Sequence, residues 1–483
     1  LPDYDHAIID EAHHLEDAIT RGLQVNIDVQ MLIRHLDNLG GMETGLLNDV
    51  LTTVNTHGTP KDQQRFSQFI SGIGEASTVM KVHIKTLFKK LYAFLADIRN
   101  LSPTDFMTLV KITPEHRRKA SFAAVQQTWK TADEFFEVIA GAMTQLNKGL
   151  NKLAKKSMPG VDDLAANAAS VAQRLATLRE SLNQFIVTPD NNTIYWLRLA
   201  QGMETPVIQQ APLHVGPLME KHIWHTKDSV ILTSATLRTD GSFKLIKERL
   251  YADSVKPLEI GSPFDYRSST LLYLPNDIPP PAERQDYQRA VEKAIIELAA
   301  ALNGRVLVLF TSYTQLRQTS QAISPRLALG NITIYDQSDG TSREALVEGF
   351  KSSERAVLMG TRSFWEGIDI PGESLSALVI TRLPFAVPTD PIFSARADTY
   401  NNSFSQYTLP EAILRFRQGF GRLIRSETDR GIVTVLDSRI IKKGYGANFL
   451  QALPDCEMRD GKLDDLPRIA KAWLDRPSSD QES

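Results

Sequence analysis

Apolar residues recur at two different periods along this chain, and the change of period divides it. At the start, His6-Ala7-Ile8-Ile9 reads as a short apolar strand running into Asp10-Glu11-Ala12-His13. From residue 16 to about 185 the apolar positions fall at helical spacing, as in Leu87, Leu91, Phe94 and Leu95, or Phe135, Phe136, Ile139 and Met143. Strand-like runs are nearly missing there, so this stretch predicts a long helical block. From about 186 the pattern changes again. Residues 193–199 and 207–215 read as strands, and 229–232 as a short buried strand ending in Thr233-Ser234-Ala235-Thr236. A proline-rich connector over 274–281 follows, where Pro279-Pro280-Pro281 favours a stiff extended link.

Beyond it helix and strand alternate. Helices are expected over 283–302, 313–323, 342–351 and 409–424, and strands over 305–310, 332–335, 356–359, 375–380 and 431–436. That order predicts an α/β fold with parallel sheet, whose sites lie beyond the carboxyl ends of strands. The helical block lies between two α/β pieces, so it reads as an insertion. The expected domains are 1–15 with 186–273, the insertion 16–185, and a second α/β domain over 282–475. Residues 476–483 read as a polar, disordered tail.

Composition narrows the function classes. The 483 residues are 42% hydrophobic and 23% charged, with a formal net charge of −3. Any nucleic-acid site must then be a local groove rather than a global basic field. One cysteine, Cys456, excludes an internal disulfide framework and a cysteine-only metal site within the chain. No run of eighteen apolar residues and no signal-peptide pattern occurs, so a cytoplasmic location without a membrane partner is expected. The first residue is Leu1, in what reads as the middle of a sheet, so a fragment of a longer protein is expected.

Four motifs carry chemistry. Asp10 at a strand end can hold magnesium against bound phosphates, and Glu11 can orient and deprotonate an attacking water. A surface Asp-Glu pair after a strand is the plainer alternative; the apolar strand feeding DEAH favours hydrolysis. The Thr233–Thr236 hydroxyls can bond those carboxylates, or form an ordinary Ser/Thr turn. The glycine-rich run 360–372 lets backbone approach a ligand, with Glu366 and Asp369 as acceptors and Trp365 as a packed aromatic in preference to a base-stacking platform. The fourth is Gln418-Gly419-Phe420-Gly421-Arg422-Leu423-Ile424-Arg425. Arg422 and Arg425 are three apart and are expected on one helix face, where they can neutralise charge building on a γ-phosphate. An arginine finger is worth on the order of 10³–10⁵ in rate. Gly419 and Gly421 weigh against a merely solvated basic face, since each costs about 1 kcal/mol in a helix interior.

In this order the chain resembles superfamily 2 helicases, and within them the DinG branch related to XPD. The resembling stretches are DEAHHLED (10–17), SVILTSATL (229–237), SFWEGIDIPG (363–372), RLPFAVPTDP (382–391) and QGFGRLIRS (418–426). The resemblance implies two RecA-like P-loop NTPase motor domains with ATP and Mg²⁺ in the cleft between them. It also implies a helical arch inserted after the DEAH strand, where 16–185 lies. By resemblance Asp10 binds Mg-ATP through water, Glu11 is the general base, and Arg422 and Arg425 are the fingers. His13, Gly367, Asp369 and Gln418 line the same cleft, and Thr311, Ser312 and Ser363 contact the DNA backbone. The implied partner is single-stranded, forked or duplex DNA, tracked 5′ to 3′ by a monomer.

Two departures accompany the resemblance. No G-x-x-x-x-G-K-[ST] phosphate loop occurs in the sequence, so the first motor domain is expected to be incomplete and the isolated chain poorly active. The family's iron–sulfur cysteines would also lie upstream, so that cluster is not assignable here. A non-catalytic DNA-binding remnant and the helicase part of a helicase–exonuclease fusion stay open as alternatives.

Overall fold

A computed structural model describes residues 3–101, 107–239, 241–365, 370 and 372–476. Its strands are β1 (His6–Ile9), β2 (Val25–Ile27), β3 (Met107–Lys111), β4 (Thr193–Ala200), β5 (Val207–Pro212), β6 (Ser229–Leu232), β7 (Thr270–Pro275), β8 (Val306–Leu309), β9 (Thr333–Asp336), β10 (Ala356–Gly360), β11 (Ala377–Ile380), β12 (Gly431–Val435) and β13 (Glu457–Gly461). The chain divides into two compact units, one of residues 15–215 with 388–396 and one of the remainder.

The first unit is built on three long helices, α1 (Pro60–Ile98), α2 (Ala120–Ala154) and α3 (Val161–Ile186). Helix α1 starts where Thr59 accepts a hydrogen bond from the Asp62 amide and Pro60 occupies the first turn. Its buried side chains, Phe66, Ile70, Ile73, Met80, Ile84, Leu87, Leu91 and Phe94 among them, fall at steps of three, four or seven and make one continuous stripe. The stripe packs into a core with Trp129, Phe136 and Leu182 from the other two helices.

The same unit contains a four-stranded antiparallel sheet in the order β2-β5-β4-β3. This differs from the sequence expectation in two ways. Strands β2 and β3 lie inside the stretch that read as wholly helical. Strands β4 and β5 join the helices, so the compact unit runs to Val215 rather than ending near 185. The reason is burial: Tyr195, Leu197 and Ile208 on one face of the sheet complete the helical core, a long-range match that local periodicity does not carry. The opposite face, with Ile194, Trp196 and Ala211, is covered by Ile392 and Ala395 of the helix Pro391–Ala397.

That helix brings in a buried charge. Arg396 is 3% exposed and Glu16 7%, with Nη1 and Oε1 3.4 Å apart. The same guanidinium donates to Leu213 O at 2.9 Å and to Thr20 Oγ1 at 2.6 Å. A buried cation with this many acceptors is compensated, and removing one partner strands the other in a dry site.

The second unit is α/β. Its main sheet has seven strands in the order β13-β7-β12-β11-β8-β10-β9, and every pairing is parallel. The central strands are apolar and buried on both faces, as parallel sheet requires; β8 is Val-Leu-Val-Leu without an exposed residue. Helices α4 (Arg284–Ala301) and α5 (Tyr313–Leu329) cover one face through Val291, Ile295, Leu316 and Ile323. Helix α6 (Leu409–Phe420) covers the other through Ile413 and Phe416. Strand β7 pairs with β12 and β13, so Leu274 and Pro275 belong to this sheet and not to the proline-rich connector expected over 274–281. Apart from it, β1 and β6 form a two-stranded parallel sheet with His6 opposite Ser229 and Ile9 opposite Leu232. Ile8 and Ile231 remain 74% and 54% exposed on it.

Residues 477–483, expected to be a disordered tail, lie outside the described residues. Among the described residues no helix is long and apolar enough to cross a membrane.

Two outcomes are expected from this packing. Arg396→Ala should lower the stability of the helical unit by about 3–5 kcal/mol, the size typical of a buried pair losing one member; a denaturant midpoint equal to wild type would contradict it. Gly304 has φ +82°, and a Cβ there would lie 2.4 Å from Ala356 N. Gly304→Ala should therefore cost more than about 1 kcal/mol, read by the same midpoint and by faster amide exchange around Ala356.

Candidate functional site

The parallel pairing of β1 with β6 carries both chain segments out at the same edge. Thr233 N donates to Ile9 O at 2.9 Å and Ala12 N to Thr233 O at 3.0 Å, so the two turns beyond the strands are laced together. Glu11 sits in that turn at φ +48°, in the left-handed region that a non-glycine residue seldom occupies. Strain of this kind persists where surrounding structure holds it, and it clusters at functional sites. Here it turns the Glu11 carboxylate away from the strand direction, while Asp10 Oδ1 accepts from the Glu11 amide at 2.9 Å.

The turn faces a cleft of about 1410 Å³, lined among others by Glu11, His13, Gln418, Arg422 and Arg425. Pockets for small molecules run to roughly 300–1,000 Å³, so the cleft is large enough for a ligand of that class. Asp10 is exposed at the strand end, beside the cleft rather than in its lining. Its carboxylate and that of Glu11 are hard oxygen donors of the kind magnesium accepts, with water and phosphate oxygens supplying the other positions. The donor set therefore fits a magnesium ion held largely through water.

A chain of polar contacts runs from the carboxylate to the far wall. Ser234 Oγ lies 2.6 Å from His13 Nδ1 and donates to Glu11 Oε2 at 3.4 Å. The Thr236 amide donates to Ser234 Oγ at 3.1 Å, and Gln418 Nε2 donates to Thr236 Oγ1 at 3.4 Å. The hydroxyl turn thus links DEAH to α6, across 182 residues of sequence between Thr236 and Gln418. His13 Nδ1 is also 3.3 Å from Glu11 Oε2. This is not an ion pair near neutral pH. Burial first, and then the positive charges of His14 and Arg422, lower the His13 pKa to about 4 against the raising effect of Asp10 and Glu411. A neutral imidazole here accepts or donates one proton at a defined nitrogen and adds no charge beside Glu11.

The arginines correct one expectation. The helix expected to run to residue 424 stops at Phe420, with Gly421 as its cap and the Gly421 amide bonded to Arg417 O at 2.9 Å. Arg422 and Arg425 therefore do not share a helix face. They sit in the turns beyond it, because Gly421 ends the helix and the Asp429 carboxylate accepts the amides of Arg425 and Ser426 at 2.6 and 2.9 Å. Both nonetheless line the cleft. Arg422 Nε donates to Trp365 O at 3.1 Å. Trp365 is 3% exposed and packs in the core, as the packed reading expected.

Thr311 and Ser312 follow β8, and Ser363 follows its parallel neighbour β10, so all three lie at one edge of the sheet. Ser312 is engaged as the cap of α5, accepting from Gln315 N at 3.3 Å. A residue that sequence reasoning passed over joins Ser363 to the starts of the neighbouring turns. Gln337 donates to Ser363 Oγ at 2.9 Å and accepts from the Thr361 amide at 2.8 Å, and its own carbonyl accepts from Tyr313 OH at 2.9 Å. A lone glutamine after a short strand offers no local signal. Arg417 was also missed; it lines the cleft and donates to Arg238 O at 2.5 Å, and its RFRQ context was the available hint. Gly367 and Asp369, together with Glu366, lie outside the described residues.

A second cleft, of about 710 Å³, opens between α2 and α3 of the helical unit. Arg179 in its wall pairs with Asp133 at 2.6 Å and with Glu137 at 2.9 Å. It offers no catalytic set.

Comparison with known proteins agrees with the motif order. A family model described as helicase C-terminal domain matches residues 295–456. The chain is 31% identical over 495 residues to the 3'-5' exonuclease DinG of Bacillus subtilis (strain 168), covering 96% of this chain and 51% of that protein. It is 37% identical over 275 residues to the ATP-dependent helicase DinG of Mycobacterium tuberculosis (strain ATCC 25618 / H37Rv), covering 55% and 41%. The chain thus spans about half the length of the curated relatives it matches. A solved structure titled XPD helicase aligns over 94% of this chain and 68% of that one, at 14% identity and a TM-score of 0.47. On these matches residues 295–456 carry a helicase C-terminal domain, and the chain is similar over most of its length to a DinG protein.

Proposed function

We propose that this chain is the C-terminal part of an ATP-dependent DNA helicase that couples ATP hydrolysis in the Glu11–Arg422 cleft to movement along single-stranded DNA. The observation that carries the reading is convergence. Glu11, His13, Ser234, Thr236, Gln418, Arg422 and Arg425 come from three distant stretches and meet at one cleft that has a carboxylate on one wall and guanidiniums on the other. A hydrolase of phosphoanhydrides needs that polarity: a proton acceptor behind the attacking water and fixed positive charge where the transition state gains negative charge.

In this reading Glu11 takes the proton of the attacking water. Ser234 and neutral His13 orient its carboxylate. Asp10 holds magnesium through water, and the ion neutralises phosphate charge when bound. Gln418 reports the state of the turn to α6, and Arg422 and Arg425 stabilise the departing charge. Thr311, Ser312 and Ser363, with Gln337, meet the DNA backbone. The helical unit is the arch, and translocation runs 5′ to 3′. The phosphate-binding loop belongs outside the present chain. The exposed Ile8 and Ile231 support that, since strands of a larger parallel sheet would carry such residues.

The test is hydrolysis in a protein extended upstream through that loop. Single-stranded DNA should stimulate ATP turnover. Glu11→Gln should lower kcat by roughly 10²–10⁴ with ATP affinity little changed. Wild-type protein without DNA-stimulated turnover ends the proposal.

The His13 environment gives a pH prediction. Its folded pKa of about 4 lies below the unfolded value of 6.5, so the unfolded chain binds the proton more readily. The stability it contributes is complete above pH 6.5 and is lost as pH falls through about 4. An NMR titration should find the His13 ring neutral down to pH 5; a midpoint near 6.5 would contradict the burial.

A further inference from the structure

The short helix Arg362–Trp365 leaves β10 and carries two buried aromatics, Phe364 and Trp365. Trp365 is held at three points. Its indole N–H donates to Phe310 O at 3.1 Å, at the end of β8. Its ring packs against the backbone of α6: a Cβ on Gly419 would come within 2.6 Å of the indole Cε3 and 2.8 Å of Cζ3. Its carbonyl accepts from Arg422 Nε at 3.1 Å. Helix α6 then ends one residue after Gly419, and Arg422 follows two residues beyond that end. The ring therefore sets how closely α6 approaches the sheet, and the carbonyl sets where the Arg422 side chain leaves the turn.

We propose that Trp365 is a positioning residue for Arg422, and that Gly419 is glycine because the indole occupies the space of its side chain. The inference rests on the reading that Arg422 acts on the phosphates of ATP. A guanidinium at the end of a flexible side chain delivers its charge usefully only when anchored. The Nε–H bond to the Trp365 carbonyl supplies such an anchor. The carbonyl is present in any residue at 365. What tryptophan adds is the indole bond to β8 and a ring broad enough to fix the distance to α6. Phenylalanine keeps part of the packing and loses the bond; alanine at 419 keeps the helix, being the better helix former, and displaces the ring. The two changes disturb the same geometry from opposite sides.

The experiment uses the full-length protein and DNA-stimulated ATP turnover. Trp365→Phe and Gly419→Ala should each lower kcat roughly ten- to a hundred-fold with the KM for ATP within about two-fold, the pattern of a misplaced transition-state group. In an Arg422→Ala background, neither change should lower kcat further. Hydrogen exchange of the 419–425 amides should rise in both variants. Wild-type turnover with kcat unchanged in both variants overturns the inference and leaves the reading of the cleft intact. A further loss in the Arg422→Ala background likewise overturns it, since that marks a general structural role. Wild-type protein without turnover overturns the reading of the cleft and the inference together.

Discussion

One register, His6 opposite Ser229 through Ile9 opposite Leu232, is the constraint on which the candidate site depends. Parallel strands end at the same edge, so this pairing brings the DEAH turn and the Thr-Ser-Ala-Thr turn side by side although 223 residues separate Glu11 from Ser234. A slip of one residue would turn Ile9 to the other face and move Ala12 out of reach of the Thr233 carbonyl. The left-handed Glu11, the Ser234 bridge and the link to Gln418 all presuppose that register.

The electrostatics of the cleft follow from its burial. Burial disfavours a His13 imidazolium, and the positive charges of His14 and Arg422 disfavour it further, so the histidine stays neutral. Arg417 is treated alike: burial and neighbouring Arg238 both press its pKa below the usual guanidinium value, yet guanidinium stays protonated. The cleft thus separates its charges, with negative carboxylates on the DEAH turn and positive guanidiniums at the end of α6. Separation of this kind suits a polyanion whose charge shifts during reaction better than it suits a neutral ligand.

The two compact units solve different burial problems. In the helical unit, three long helices bury one stripe each, and the antiparallel sheet packs one face on them and the other on the helix Pro391–Ala397. The seven-stranded sheet buries both faces of its central strands, which is why Val306–Leu309 and Ala377–Ile380 are unbroken apolar runs. That difference made β8 to β12 readable to within about two residues of their ends. It also hid β2 and β3, which are three and five residues long and sit between strong helical signals.

The sequence by itself determined the α/β class of fold, the central strands of its parallel sheet and the residue types brought to the cleft, because periodicity and the residue types of DEAH and QGFGRLIR are local properties. It did not determine where the helix before Arg422 stops, that β4 and β5 belong with the helices, or that Gln337, Trp365 and Asp429 hold the site residues in place. Those outcomes depend on contacts between residues far apart in the chain: the Asp429 carboxylate on the Arg425 amide, the indole on Gly419, and the Tyr195 face of a sheet on a helical core. A local pattern states which faces must be buried, and only the tertiary structure decides what buries them.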